Sequence, residues 1–252
     1  MLTTSDHDRV RVVTVDHGKV NALDLELLTA LIDSFERADP EQPMVLTGAG
    51  RAFSAGVDLR RIVEGGAGYV SEFLDALSRS ILAVYRHSAP VVAAINGAAI
   101  AGGCVIAAAC DLRVMSGGPI GLAELAVGVP FPTAALEVMR GLVGPRLNHL
   151  VLSATTLSAQ DALVYGLVDE VAAPEALLAR ALQRAQSLGG LPSGVFRHTK
   201  RQLQRPTLDR IAAAAGDDRH ATDLWSSGPV LDAVSTYLAN IAVRPNREVG
   251  RQ

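Results

Sequence analysis

The feature that most limits what this chain can become is a strand-like run ending in a glycine-bearing loop, which occurs at Met44–Gly56 and again at Val91–Gly103. In the first, Met44 to Thr47 reads as a short buried strand ended by Gly48-Ala49-Gly50. A loop is predicted to follow from Arg51 to Leu59. In the second, Val91 to Ile95 is the strand, Asn96 to Gly103 the loop, and Cys104 to Ala109 a short helix. Helical spacing runs from Ala22 through Leu23, Leu27, Leu28, Leu31, Ile32 and Phe35. It recurs at Phe73, Leu77, Ile81 and Val84, ending near His87, after a flexible link expected at Gly65, Gly66 and Gly68. Val10–Val15 and Leu112–Met115 read as further strands. Alternation of strand and helix through the first half predicts an α/β fold. Beyond Pro132 the pattern is helical, apart from a short strand expected at Leu167–Val171. From about Pro192 it reads as a helical appendage.

A chain of 252 residues suits one large domain, or one with a small appendage. Its net charge of −3 provides no electrostatic footprint for nucleic acid or an anionic membrane. Val91–Cys110 is apolar except for Asn96, as a membrane span would be, but Pro90, Asn96-Gly97 and Gly102-Gly103 break it into shorter pieces. Met1 to Arg11 carries Asp6, His7, Asp8 and Arg9 with no apolar run, so no signal peptide is expected. Cys104 and Cys110 lack zinc-ligand spacing and read as buried thiols of a cytoplasmic protein.

Glycine-bearing loops let a ligand approach the backbone, and N–H groups at a loop and a helix start suit an oxyanion. The same glycines serve equally well as plain tight turns. Val45-Leu46-Thr47-Gly48-Ala49-Gly50 begins like a dinucleotide-binding fingerprint, but Phe53 occupies the third glycine position and no helix starts at once. Walker A, HExxH and GxSxG motifs are absent, and the histidines are scattered. Glu64, Glu72 and Asp75 read as solvated.

Phe53-Ser54-Ala55-Gly56-Val57-Asp58-Leu59 resembles the first signature of the enoyl-CoA hydratase/isomerase (crotonase) superfamily. Ala89-Pro90-Val91-Val92-Ala93-Ala94-Ile95-Asn96-Gly97, continuing through Ala101-Gly102-Gly103-Cys104 to Cys110-Asp111, resembles the second. Lys19-Val20-Asn21-Ala22-Leu23 and the segment Leu157 to Asp169 are similar to an earlier and a later family segment. The resemblance implies a crotonase-like spiral of ββα units over residues 1–190 and a C-terminal helical trimerisation region over 191–252. It implies an acyl-coenzyme A thioester as substrate, no metal or separate cofactor, and a homotrimer or dimer of trimers. It maps the two oxyanion N–H donors to Ala55 and Gly102, and the coenzyme A contacts to Lys19, Asn21, Ala22, Ser54, Gly56, Asp58, Leu59 and Gly103. Lys200 and Arg201 are candidates for the phosphates, or else solvated surface charges.

The hydratases of that family use two glutamates. Here the first position is Val105, and the second is Glu124 in Gly121-Leu122-Ala123-Glu124-Leu125. Apolar neighbours Leu122, Leu125, Val127 and Val129 predict a raised Glu124 pKa. One carboxylate suffices to move a double bond, and the pattern resembles the Δ3,Δ2-enoyl-CoA isomerase branch. Gly128-Val129-Pro130-Phe131-Pro132-Thr133 departs from the glycine-rich hydratase pattern. A hydratase, another thioester reaction and a non-catalytic acyl-CoA carrier remain as alternatives.

Overall fold

The computed structural model describes residues 1–243. The remainder of the expected C-terminal region, 244–252, lies outside the described residues. Three successive strand–strand–helix turns build the core. The first is β3 (Met44–Gly48), β4 (Ala52–Ser54) and α2 (Leu59–Arg86); the second is β5 (Val91–Ile95), β6 (Ala98–Ile100) and α3 (Gly102–Ala109). The third is β7 (Leu112–Met115), β8 (Ile120–Gly121) and α4 (Glu124–Val127). Each turn sends one strand to each of two sheets. β3, β5 and β7 lie side by side, parallel, in the larger sheet, and β4, β6 and β8 in the smaller. The repeated strand-and-loop pattern is thus two consecutive turns of a crotonase-like spiral.

The larger sheet is extended by β1 (Leu2–His7) and β2 (Val10–Val15) at one edge and by β10 (Glu170–Val171) at the other. β9 (Thr156–Leu157) closes the smaller sheet. α1 (Leu25–Glu36) starts at Asp24, whose carboxylate accepts from the Leu27 N–H at 2.8 Å, and it buries Leu27, Leu28, Leu31, Ile32 and Phe35 on the spacing read from sequence. Every residue of α3 is buried, as expected for a helix that is apolar all round. Among the described residues no helix is long and apolar enough to cross a membrane.

α5 (Thr133–Val143), α6 (Leu147–Leu152), α7 (Ala159–Tyr165) and α8 (Leu177–Gly189) follow. Then come α9 (Ser193–Ala213), α10 (Ala215–Trp225) and α11 (Gly228–Val243). α10 packs against α2 and α5, and α11 against α2. Trp225 and Val234 join the main core from these last helices.

Several local expectations change. β1 was not foreseen, because its mostly polar residues lie at an exposed sheet edge; they pair antiparallel with β2 across a turn at Asp8, where φ is 53°. The glycines expected to form a flexible link lie within α2, which kinks at Gly66 (φ 62°) instead of ending. β4 and β6 are strands of three residues inside segments read as loops. They are too short to show a period and pair only because successive turns of the spiral stack. The strand expected at Leu167–Val171 shrinks to Glu170–Val171, since the Leu167 and Val168 N–H groups both donate to the Ala162 carbonyl at the end of α7. Gly48-Ala49-Gly50 leads into β4 rather than a helix, which removes the dinucleotide reading.

Candidate active site

Three chemically interesting positions fall at matching points in successive turns of the spiral, just ahead of the helix or at its first residue. They are the loop Ala55–Asp58 after β4, Gly102 after β6, and Glu124 after β8. Because β4, β6 and β8 are neighbours, these points converge on a single cavity of about 650 Å³. Lys19, Ala22, Ala55, Asp58, Leu59, Gly102 and Glu124 all line it, together with Val57, Arg60, Val105 and Trp225. A hollow of about 720 Å³ lined by Asp8, Arg9, Asp39 and Glu41 contains none of these residues.

Glu124 is the first residue of α4 and only 9% exposed. Its Oε2 is buried and has no hydrogen-bond partner among the described residues. Burial raises its pKa to about 7, against a smaller opposing effect of the Glu124 and Ala123 backbone N–H groups. A carboxyl group there both accepts and returns a proton near neutral pH. Val105, where a second carboxylate would stand, is fully buried and apolar.

The N–H expected to serve as the first oxyanion donor is not free. The Ala55 N–H is already committed to the Val20 carbonyl at 3.0 Å. The next amide, Gly56, donates to Ser54 Oγ at 3.2 Å. Leu23 forms a parallel bridge to this loop by donating to the Gly56 carbonyl (2.8 Å) and accepting from the Asp58 N–H (2.8 Å). That pattern uses the residues on either side of Val57 and turns the Val57 N–H away from the bridge. Among the described residues the Val57 N–H has no partner, and Val57 lines the cavity. Gly102 is the first residue of α3, so its N–H has no intrahelical acceptor, and it lines the cavity. Ala101 before it holds φ at 52°, an uncommon region for alanine, with its N–H on the Gly121 carbonyl at 2.8 Å. The strained residue aims the start of α3 at the cavity.

Four residues expected along coenzyme A hold the loops rather than line the cavity. Asn21 (φ 53°) accepts from the His17 N–H at 2.9 Å and donates to the Ala49 and Ala52 carbonyls at 3.1 and 2.9 Å. Ser54 Oγ donates to the Asn21 carbonyl at 2.7 Å. A Cβ on Gly56 would meet the Ile100 carbonyl oxygen at 2.6 Å, and one on Gly103 the Ser54 carbonyl oxygen at 2.5 Å. Only glycine lets the two signature segments lie this close. Asp58 does line the cavity and also caps α2, accepting from the Arg60 N–H at 3.1 Å.

Lys200 does not reach the site. It is 6% exposed, and its Nζ donates to Asp111 Oδ2 at 2.7 Å and the Ala89 carbonyl at 3.2 Å, beside a different cavity. Arg201 is exposed and lines none of the cavity. Lys200 therefore pins α9 to the sheet. Asp111→Ala, which strands this ammonium in a buried place, is expected to cost about 3–5 kcal/mol of stability, read by thermal or urea melts.

Sequence reading missed the part played by the last helices. Trp225 from α10 and Tyr237, Leu238 and Ile241 from α11 complete the cavity wall. Their helical period says that they are buried against something, not what. Burial pushes both cysteine thiols up, Cys110 to about 12, so neither is a nucleophile at neutral pH. Glu64, Glu72 and Asp75 are exposed, as expected.

Residues 6–227 match the enoyl-CoA hydratase/isomerase family. The chain belongs to this family. Enoyl-CoA delta isomerase 1, mitochondrial, of Homo sapiens is 29% identical over 241 residues, covering 92% of this chain and 80% of the relative. The crystal structure of human mitochondrial delta3-delta2-enoyl-CoA isomerase superposes with a TM-score of 0.89 at 26% identity, covering 96% of this chain and 98% of that one. An enoyl-CoA hydratase from Mycobacterium ulcerans superposes with a TM-score of 0.81 at 29% identity, covering 87% and 98%. Family membership accounts for the α/β spiral, and both isomerases and hydratases stand among the similar proteins.

Proposed function

We propose that this enoyl-CoA hydratase/isomerase family member is an isomerase that moves the double bond of a 3-enoyl-CoA thioester to the 2-position. The observation that carries the reading is the single buried carboxylate, Glu124, facing a chamber where Val105 replaces a second acid. The thioester oxygen sits between the Val57 and Gly102 N–H groups. Glu124 removes a proton from C2, and the electron pair spreads into a dienolate whose oxygen these two donors stabilise. The protonated Glu124 then returns the proton to C4, and the electrons settle as a C2=C3 bond. Hydration of a 2-enoyl thioester would also need a group to activate water, and the apolar Val105 supports isomerisation over that route. The exposed charges of Lys19 and Arg60 at the rim suit the phosphates of coenzyme A.

Turnover of 3-enoyl-CoA and 2-enoyl-CoA by the purified protein tests the proposal; fast hydration of the 2-enoyl substrate with no isomerisation would sink it. The base must be ionised to start the reaction. With a Glu124 pKa of about 7, kcat/KM for isomerisation is expected to fall tenfold per pH unit below about 7 and to level off above it. A profile that stays flat down to pH 5 would exclude Glu124 as the base.

The homotrimer or dimer of trimers belongs to the same proposal, supported by exposed apolar side chains at Leu152, Val164, Val195 and Leu203. Sedimentation velocity tests it, and a monomer at micromolar concentration would refute it. The cytosol is the proposed compartment on the strength of two free, buried cysteines, although the human relative's name carries the word mitochondrial.

A further inference from the structure

We infer that Trp225 is the end stop of the acyl chamber, so that this protein selects acyl thioesters by chain length. The inference rests on the acyl-thioester reading of the cavity. Exposure sets the direction of entry. Of the lining residues, Lys19 and Arg60 are exposed, Glu124 is nearly buried, and Leu77, Ile81, Ala135 and Trp225 are buried and apolar. A ligand with a charged head and an apolar tail enters head outward, and its tail runs toward the indole.

The indole is held in place. Trp225 is 2% exposed, and its Nε1 donates to the Pro130 carbonyl at 2.8 Å. From the same helix, Asp218 accepts from the Thr133 N–H at 2.7 Å. The two bonds tie α10 to the segment joining Glu124 to α5, so the stop keeps a fixed position relative to the reacting carbons. The side wall from α11 is less buried: Ile241 is 51% exposed.

Calorimetric binding of saturated acyl-CoA thioesters of increasing length separates this inference from the reaction chemistry, since no turnover is involved. Wild-type affinity should rise about fourfold for each added methylene and stop rising at a limiting length. Trp225→Leu should move that limit to longer chains, and Ala135→Leu, which adds bulk to the same chamber from α5, to shorter ones. A folded Trp225→Leu with an unmoved limit overturns the inference. Should that variant fail to fold, Ala135→Leu decides, and an unmoved or longer limit overturns it. Failure of the wild type to bind any length overturns the thioester reading and the stop with it, whereas binding with an unmoved limit removes the stop alone.

Discussion

Glu124→Gln is expected to lower isomerisation of 3-enoyl-CoA by about 10²–10⁴-fold while leaving KM within a few-fold. Gln keeps the volume and the backbone contacts of the side chain but neither takes nor returns a proton. Val105 offers no second acid at its position, and Asp58, the other carboxylate lining the cavity, is engaged in capping α2. The same variant carries an independent signature in stability. The Glu124 pKa rises from 4.5 to about 7 on folding, so between those values the folded chain holds a proton that the unfolded chain releases. Wild-type stability from this group is therefore lost as pH rises from about 4.5 to about 7, and stays lower above that. Gln does not titrate. Its melting temperature should thus exceed the wild type's at pH 8, with the gap closing toward pH 4.5. Equal melting temperatures at pH 8 would contradict the buried-carboxyl account, and undiminished turnover would contradict the base assignment.

Val57→Pro is expected to lower kcat by about 10²–10³-fold, because it removes one of two N–H donors aimed at the developing oxyanion. Val57→Ala should stay near wild type, since the donor is backbone. The bridge to Leu23 uses the Gly56 carbonyl and the Asp58 N–H, so proline at Val57 deletes none of its bonds. Ala55→Pro gives the contrast: it breaks the bond to the Val20 carbonyl and should lower the melting temperature. If Val57→Pro folds and turns over at the wild-type rate, the Val57 N–H is not a donor.

Much of this arrangement was legible in the chain. The paired strand-and-loop runs at Met44 and Val91 announce an α/β fold because strand burial and turn residues are local properties, while the spiral was implied by the family resemblance. Gly102 came from the resemblance of Ala101-Gly102-Gly103-Cys104 to the family's second signature, since local pattern put it in a loop ahead of a helix at Cys104–Ala109. Glu124 likewise came from the family resemblance, and its apolar neighbours then predict the desolvation that raises its pKa. β4 and β6 were not legible, since three residues carry no period and only stacking of successive turns makes them strands.

The sequence by itself determined the α/β class of fold and the recurrence of two strands that end in glycine-bearing loops. The tertiary structure alone decided which amide is free. Ala55 and Val57 are alike in sequence as small or apolar loop residues, but Val20 takes the N–H of one and Leu23 bonds on either side of the other. Lys200 likewise reads as a surface cation until Asp111, 89 residues away, is placed beside it. Trp225 becomes the floor of a chamber only when α10 folds back onto α2 and α5. Hydrogen-bond partners and cavity walls are supplied by segments far apart in the chain, and local pattern holds no record of which segment will arrive.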